Sequence, residues 1–212
     1  IIRQIVAEAV GVPIDVVRVI TGDTLTTPYG GGTWACRGAG IGGEAALQAG
    51  LATKEAALKV AGAMLQAAPG TLDLVLGNII DKATGAVRMS LGELGRIVYF
   101  RGDTLPPDLP RELMQTRHFI TKQFPFAFTN GVQASHLEVD IDTGLVNLLK
   151  HWCVEDCGRI INPLLVDEQV RGGVVQGIGG ALYEHCTYTP EGQLTVGSMA
   201  DYLVPMAAGM PD

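Results

Sequence analysis

Hydrophobic and polar positions follow two periods along this 212-residue chain, and the switches between them mark out the elements. Residues 1–10 carry apolar side chains at helical spacing. Gly11-Val12-Pro13 then supplies a glycine just past the helix and a proline shortly after, which together stop it. Residues 16–20, Val-Val-Arg-Val-Ile, are rich in β-branched side chains and predict a strand. A long loop opens at Thr21-Gly22-Asp23-Thr24, runs through Pro28 to about Gly40, and feeds an alanine-rich helix over residues 41–66. That helix ends near Ala68-Pro69-Gly70. Residues 72–76 and 86–89 predict strands bracketing a turn at residues 81–85. Ser90-Leu91-Gly92-Glu93 is a capping box that starts a short helix through about Arg96.

Pro106, Pro107 and Pro110 break any regularity over residues 101–128, where Phe119, Phe124, Phe126 and Phe128 cluster and are expected to cover the core. His118 reads as a solvated loop histidine. Residues 132–141 alternate at period two, Asp142-Thr143-Gly144 turns the chain, and residues 145–155 pair back as a hairpin. His136 and Glu138 lie two apart on one strand face. They could form an acid/base pair, but a half-exposed strand face is the preferred reading. Asn162-Pro163 ends the strand, since the residue before proline is pushed out of helical geometry, and residues 164–185 read as a helix. A turn at Pro190-Glu191-Gly192, a short strand over 193–196 and a tail over 201–212 complete the chain. Strands, long helices and hairpins in this irregular order predict an α+β fold in two layers with mixed sheets. Two subdomains are expected to meet near residue 100, the first over 1–100 and the second over 101–212.

Composition narrows the function classes. At 47% hydrophobic and 17% charged residues the chain is globular, with apolar surface to spare for burial against other protein. A formal net charge of −7, with no cluster of Lys and Arg, excludes a nucleic-acid or anionic-membrane footprint. No apolar run approaches the roughly 18 residues of a membrane span. Residues 1–10 start mid-helix without an initiator Met, so the chain reads as excised from a longer one; a cytoplasmic location is expected, and the absence of a signal peptide says nothing about export. Four cysteines, Cys36, Cys153, Cys157 and Cys186, do not make a secreted disulfide framework at this size. The spacing of Cys153 and Cys157 admits a metal or redox pair. Two buried thiols on one strand are preferred, because no second Cys/His pair has zinc spacing.

Two stretches carry candidate chemistry. In the predicted helix after Asn162-Pro163, Gln169, Gly173, Gln176 and Gly180 share one face. Glycines cost about 1 kcal/mol each in a helix interior, so something approaches that face closely, either another backbone or a ligand. Glutamine amides donate and accept at once, which suits a heterocycle or a peptide edge better than a metal. The second stretch runs from Tyr29-Gly30-Gly31-Gly32 through Thr33-Trp34-Ala35-Cys36-Arg37-Gly38 to Gly40, straight into a helix N-terminus. Free amides and the helix dipole make such a junction an anion site, and Arg37 could clamp a phosphate oxygen. It is neither a P-loop nor a dinucleotide fingerprint.

The run Asp156-Cys157-Gly158-Arg159, then Ile161-Asn162-Pro163, Gln169, Gly172-Gly173, Gln176-Gly177-Ile178-Gly179 and Glu184 resembles the C-terminal molybdopterin-binding region of the xanthine dehydrogenase and aldehyde oxidase family. The resemblance covers most of the chain and is specific at this run and at the glycine-rich loop. It implies that Gln176, in Val175-Gln176-Gly177, contacts the molybdenum cofactor, and that Ala35, Cys36, Arg37 and Gly38 cradle its phosphate. Many relatives have serines and alanines where this chain has Cys36 and Arg37. The implied function is hydroxylation of a small-molecule carbon centre with water as oxygen source. The implied cofactor is molybdenum-molybdopterin, the cytosine dinucleotide form being one option, with iron–sulfur clusters and FAD on other domains or subunits. The implied partners are the remainder of the large subunit, the iron–sulfur and flavin subunits, and the substrate. In relatives a catalytic glutamate lies well beyond the Val-Gln-Gly helix. Neither Glu184 nor Glu191 has its glycine-rich context, so this chain is expected to bind cofactor without supplying the general base, and no catalytic or metal-ligating residue is assigned. Two other readings are a non-catalytic module docking through the glycine face, and a nucleotide-binding domain using residues 30–43.

Overall fold

The computed structural model describes residues 1–35, 37–122 and 128–211. The chain divides into two compact units, residues 1–127 and 128–212. The sequence-based division near residue 100 would separate Leu105 and Leu109 from the first unit's core, which both of them join. The class is the expected α+β, and every described strand pairing is antiparallel.

In the first unit, α1 (Ile2–Val10) packs along α2 (Gly43–Leu65). Gly43, Gly50 and Ala57 recur every seven residues on the buried face of α2. A Cβ on Gly50 would stand 2.7 Å from the Ala9 Cβ, so the helices approach closely only because that position is bare. Gly11 ends α1 at φ 89°, and a Cβ there would collide with the Leu74 carbonyl oxygen. Its own carbonyl accepts from Gly77 N at 2.9 Å, tying the helix end to the sheet.

That sheet runs β1 (Leu72–Val75), β2 (Asn78–Asp81), β3 (Val87–Ser90) in order. Period two sends Leu72 and Leu74 inward from β1 while Asp73 and Val75 face out. Leu72, Leu74, Ile79 and Met89 meet Ala57, Val60 and Ala61 of α2, and Leu94 and Val98 of α3 (Leu91–Phe100). The capping box is present: Ser90 Oγ accepts from Glu93 N at 3.1 Å, though α3 runs past Arg96 to Phe100. Lys54 of α2 reaches Asp73 at 2.7 Å.

Three local expectations are corrected here. Residues 17–20 join no strand; one helical turn, Ile14–Val16, precedes them, and Val16, Val19 and Ile20 are exposed. Branched side chains favour a pleated surface but cannot supply a ladder partner. The strand β2 went unpredicted because Leu76-Gly77 lacks the usual Asn-Gly signal. Both residues nonetheless adopt positive φ, 48° and 78°, and make the two-residue hairpin turn. Phe128 covers no core, being 79% exposed; Phe119 is half-buried, and Phe124 and Phe126 lie outside the described residues.

The second unit holds a long hairpin, β4 (Asn130–Val139) and β5 (Val146–Asp156), followed by α4 (Pro163–Leu182). Its register is regular from Asn130↔Asp156 to His136↔Lys150, then shifts at a bulge between His136 and Leu137. Two of the hairpin turns, residues 81–85 and 140–144, spell Asp-x-x-Thr-Gly. In each the aspartate Oδ1 accepts from two loop amides and the glycine has positive φ. Those bonds hold the Asp81 and Asp140 carboxyls below the usual carboxylate range. Asn162 caps α4, its Oδ1 accepting from Leu165 N at 3.3 Å, with Pro163 as the first helical residue. The strand expected over 193–196 reduces to a single bridge, Tyr188↔Leu194, around the turn at Gly192.

Candidate functional site

The glycine-rich loop is shaped by its own residues. Gly31 and Gly32 take φ 72° and 80°, and Ala35, φ 51°, reverses the chain just before the helix. Trp34 Nε1 donates to the Gly31 carbonyl at 2.6 Å. The Arg37 guanidinium lies over the Trp34 ring at 5.1 Å and donates to the Gly30 carbonyl at 3.3 Å. The chain then enters a π-helical turn, Gly38–Gly42, that runs into α2. The π-helical turn itself carries no acidic side chain, and Glu44 is the acidic residue in the first turn of α2 that follows. Ala35 is exposed, Arg37 and Gly38 are half-buried, and Cys36 lies outside the described residues. Upstream, Asp23 organises the loop entry, accepting from Thr26 Oγ1 at 2.7 Å and Leu25 N at 2.9 Å. The Thr26 bond comes first among the causes that hold its carboxyl low.

The other expected residue, Gln176, stands on α4 in the second unit, exposed, as are Gln169, Gly173 and Gly180. A Cβ added at Gly172, Gly173, Gly177 or Gly180 would meet nothing within 4 Å. The expected close approach to this face is therefore not made by the described residues of its own unit. Ala35, Arg37 and Gly38 are brought together at one loop–helix junction, while Gln176 belongs to the other unit.

Elsewhere the structure narrows the chemistry. His136 and Glu138 are exposed, opposite Lys150 and Asn147 across the hairpin. Cys153 is half-buried, and its Sγ donates to Glu155 Oε1 at 3.4 Å; burial first, then that carboxylate, push the thiol up. Cys157 lies past the end of β5 and is exposed, correcting the expectation of two buried strand thiols. Glu184, at the end of the motif, accepts from the Tyr202 hydroxyl at 2.6 Å. Sequence reading missed both Trp34 and Tyr202 as structural partners. An aromatic three residues before Arg37 was the available signal for the first, and nothing local signalled the second.

A model of the molybdopterin cofactor-binding domain matches residues 1–211. The chain belongs to that family. Nicotine 6-hydroxylase large subunit of Paenarthrobacter nicotinovorans is 35% identical over 206 residues, 96% of this chain and 25% of the relative. The xanthine dehydrogenase molybdenum-binding subunit of Escherichia coli O157:H7 is 33% identical over 214 residues, 100% of this chain and 28% of the relative. The crystal structure of quinoline 2-oxidoreductase from Pseudomonas putida 86 superposes with a TM-score of 0.84 at 33% identity, covering 100% of this chain and 26% of that one. The chain thus spans about a quarter of the length of the curated relatives it matches. It is a cofactor-binding domain of the molybdenum hydroxylase family, as the motif from Asp156 to Glu184 implied. Its residues suit that cofactor in kind: a helix N-terminus with a guanidinium for phosphate, and a glutamine beside bare glycines for a flat heterocycle.

Proposed function

We propose that this chain holds the molybdopterin cofactor within the large subunit of an oxidoreductase that transfers oxygen from water to a carbon of a small molecule. The observation that carries this reading is the open face of α4, where a Cβ added at any of four glycines around an exposed glutamine would meet nothing within 4 Å. A helix gives up about 1 kcal/mol at each such position, a cost that is offset when a ligand occupies the bare surface.

When bound, the cofactor supplies two-electron redox chemistry at molybdenum. The chain's own part is binding and orientation. Ala35, Cys36, Arg37 and Gly38 form the phosphate cradle. The guanidinium of Arg37 has five donors, so its bond to Gly30 leaves capacity for a phosphate oxygen. Gln176 offers its amide to the pterin side. The Glu184 carboxylate is engaged by Tyr202, which fits a general base supplied from other residues of the whole enzyme. Iron–sulfur and flavin partners would carry the electrons away, and the cytosine dinucleotide is the pterin form to look for first. The names of the relatives, nicotine 6-hydroxylase and quinoline 2-oxidoreductase, make nitrogen heteroaromatic rings the first substrate class to assay.

The test is elemental mass spectrometry on protein purified from the whole reading frame encoding this chain, in a host that makes the cofactor. About one molybdenum per polypeptide is expected. Gln176→Ala and Arg37→Ala should each lower that content while leaving the fold intact by circular dichroism. Protein without molybdenum would overturn the reading and leave a docking module in its place.

A further inference from the structure

The helix that carries Gln176 is poorly suited to hold its own shape. Gly172, Gly173, Gly177, Gly179 and Gly180 fall within nine consecutive positions. Only Gly179 is buried. There a Cβ would collide with Glu184 Oε1 and stand 3.0 Å from the Pro205 ring. The amides of Tyr183 and Glu184 both donate to the Gly179 carbonyl, at 2.9 and 2.8 Å, and this ends the helix. The other oxygen of Glu184 accepts from the Tyr202 hydroxyl at 2.6 Å. Tyr202 is itself presented by a turn in which its amide donates to the Ser198 carbonyl at 2.9 Å, while Ser198 Oγ donates to Asp201 at 2.8 Å. The bond to Glu184, ahead of desolvation, pushes the Tyr202 hydroxyl above its usual range, so it remains a proton donor across the neutral range.

We propose that Glu184 and Tyr202 are positioning residues. Together with Pro205 they lock the bare Gly179 position and thereby fix the register of α4 one turn upstream, where Gln176 stands. This rests on the reading of Gln176 as a cofactor contact. Gln176 and Gly179 are three residues apart and adjacent on the helix surface, so a slip or fray at Gly179 moves the amide directly. A tail segment more than twenty residues further along the chain thus sets the aim of a binding side chain that it need not touch.

The test uses the polypeptide of the whole reading frame, with two readouts: amide exchange over residues 172–182, and the rate of molybdenum loss on dilution. Glu184→Ala should raise both about tenfold, as expected for losing a hydrogen bond to a charged acceptor. Tyr202→Phe, which removes one hydroxyl and keeps the ring, should act in the same direction. Glu184→Gln retains an acceptor and should restore most of both. Unchanged exchange in Glu184→Ala and Tyr202→Phe would overturn the clamp. The double variant Gln176→Ala/Glu184→Ala should lose molybdenum no faster than Gln176→Ala alone. Additive losses would show that Glu184 does not act through Gln176, and would overturn the proposal on that count. Should Gln176→Ala retain molybdenum like the wild type, the cofactor reading of Gln176 falls, and exchange over 172–182 still decides the clamp.

Discussion

The two units of this chain reach order by different means. The first buries Leu72, Leu74, Ile79, Leu94 and Val60 almost completely between a three-stranded sheet and two helices. Among the described residues of the second, Gly179 alone is buried. Val132, Trp152 and Val154 of its hairpin, and Leu164 and Leu165 of α4, face outward. Its order comes from a ladder, an Asp-x-x-Thr-Gly turn, an asparagine cap and the Tyr202–Glu184 bond, all of them hydrogen bonds. Hydrogen bonds contribute little net stability in water, whereas fully burying one large aliphatic side chain contributes about 1.5–3 kcal/mol. The first unit therefore rests on a buried apolar core, and the second on hydrogen bonds, with large apolar side chains exposed.

The comparison is tested most sharply by removing core volume. Leu72→Ala or Leu94→Ala should cost about 2–5 kcal/mol in denaturant titrations of the first unit. Trp152→Ala on the 48%-exposed hairpin position should stay within about 1 kcal/mol. Equal losses would mean that the two units share one cooperative core. Next in size is Gly11→Ala, which faces both positive φ and the Leu74 carbonyl and should cost about 1–3 kcal/mol, read as a lower denaturation midpoint. Ser90→Ala removes the α3 cap and should cost about 1 kcal/mol, again confined to the first unit's transition.

The smallest effect is electrostatic. The bond from Lys54, ahead of the opposing desolvation, holds the Asp73 carboxyl below its ordinary value. A depressed carboxylate contributes stability that is fully present above its unfolded pKa, about 3.9, and is lost as pH falls through the lower folded value. Lys54→Met should therefore lower stability by at most about 1 kcal/mol at pH 7. The gap from wild type should close in acid below that carboxyl's folded pKa. A gap that persists there would assign the loss to packing of the lysine stem.

What could be read from the sequence was whatever local chemistry decides. Gly11 after α1, the Ser90 box, the turns at residues 81–85 and 142–144 and Asn162-Pro163 each satisfy backbone groups within a few residues and stand where expected, the second turn opening two residues early at Asp140. Residues 17–20 and 193–196 failed because a strand is a property of two segments, and only one of them is visible in a local pattern. The loop at Ala35–Gly38 and the Gln176 face were visible as glycine patterns that ordinary packing does not favour. The partners that shape them were not. Trp34 beneath Arg37 was hinted at only by an aromatic three residues away, and Tyr202 against Glu184 is decided by folding with no local signal.

The π-helical turn at Gly38–Gly42 has a consequence for how such a loop evolves and how it could be engineered. A turn of this width is an α-helix with one residue inserted. Each residue of an α-helix sweeps roughly 100° around the axis. Deleting one glycine there would leave the Gly43, Gly50, Ala57 seam facing α1 but swing everything upstream, Ala35 and Arg37 included, through about a quarter-turn. One inserted codon can therefore re-aim a glycine-rich loop while the scaffold beneath it stays in register.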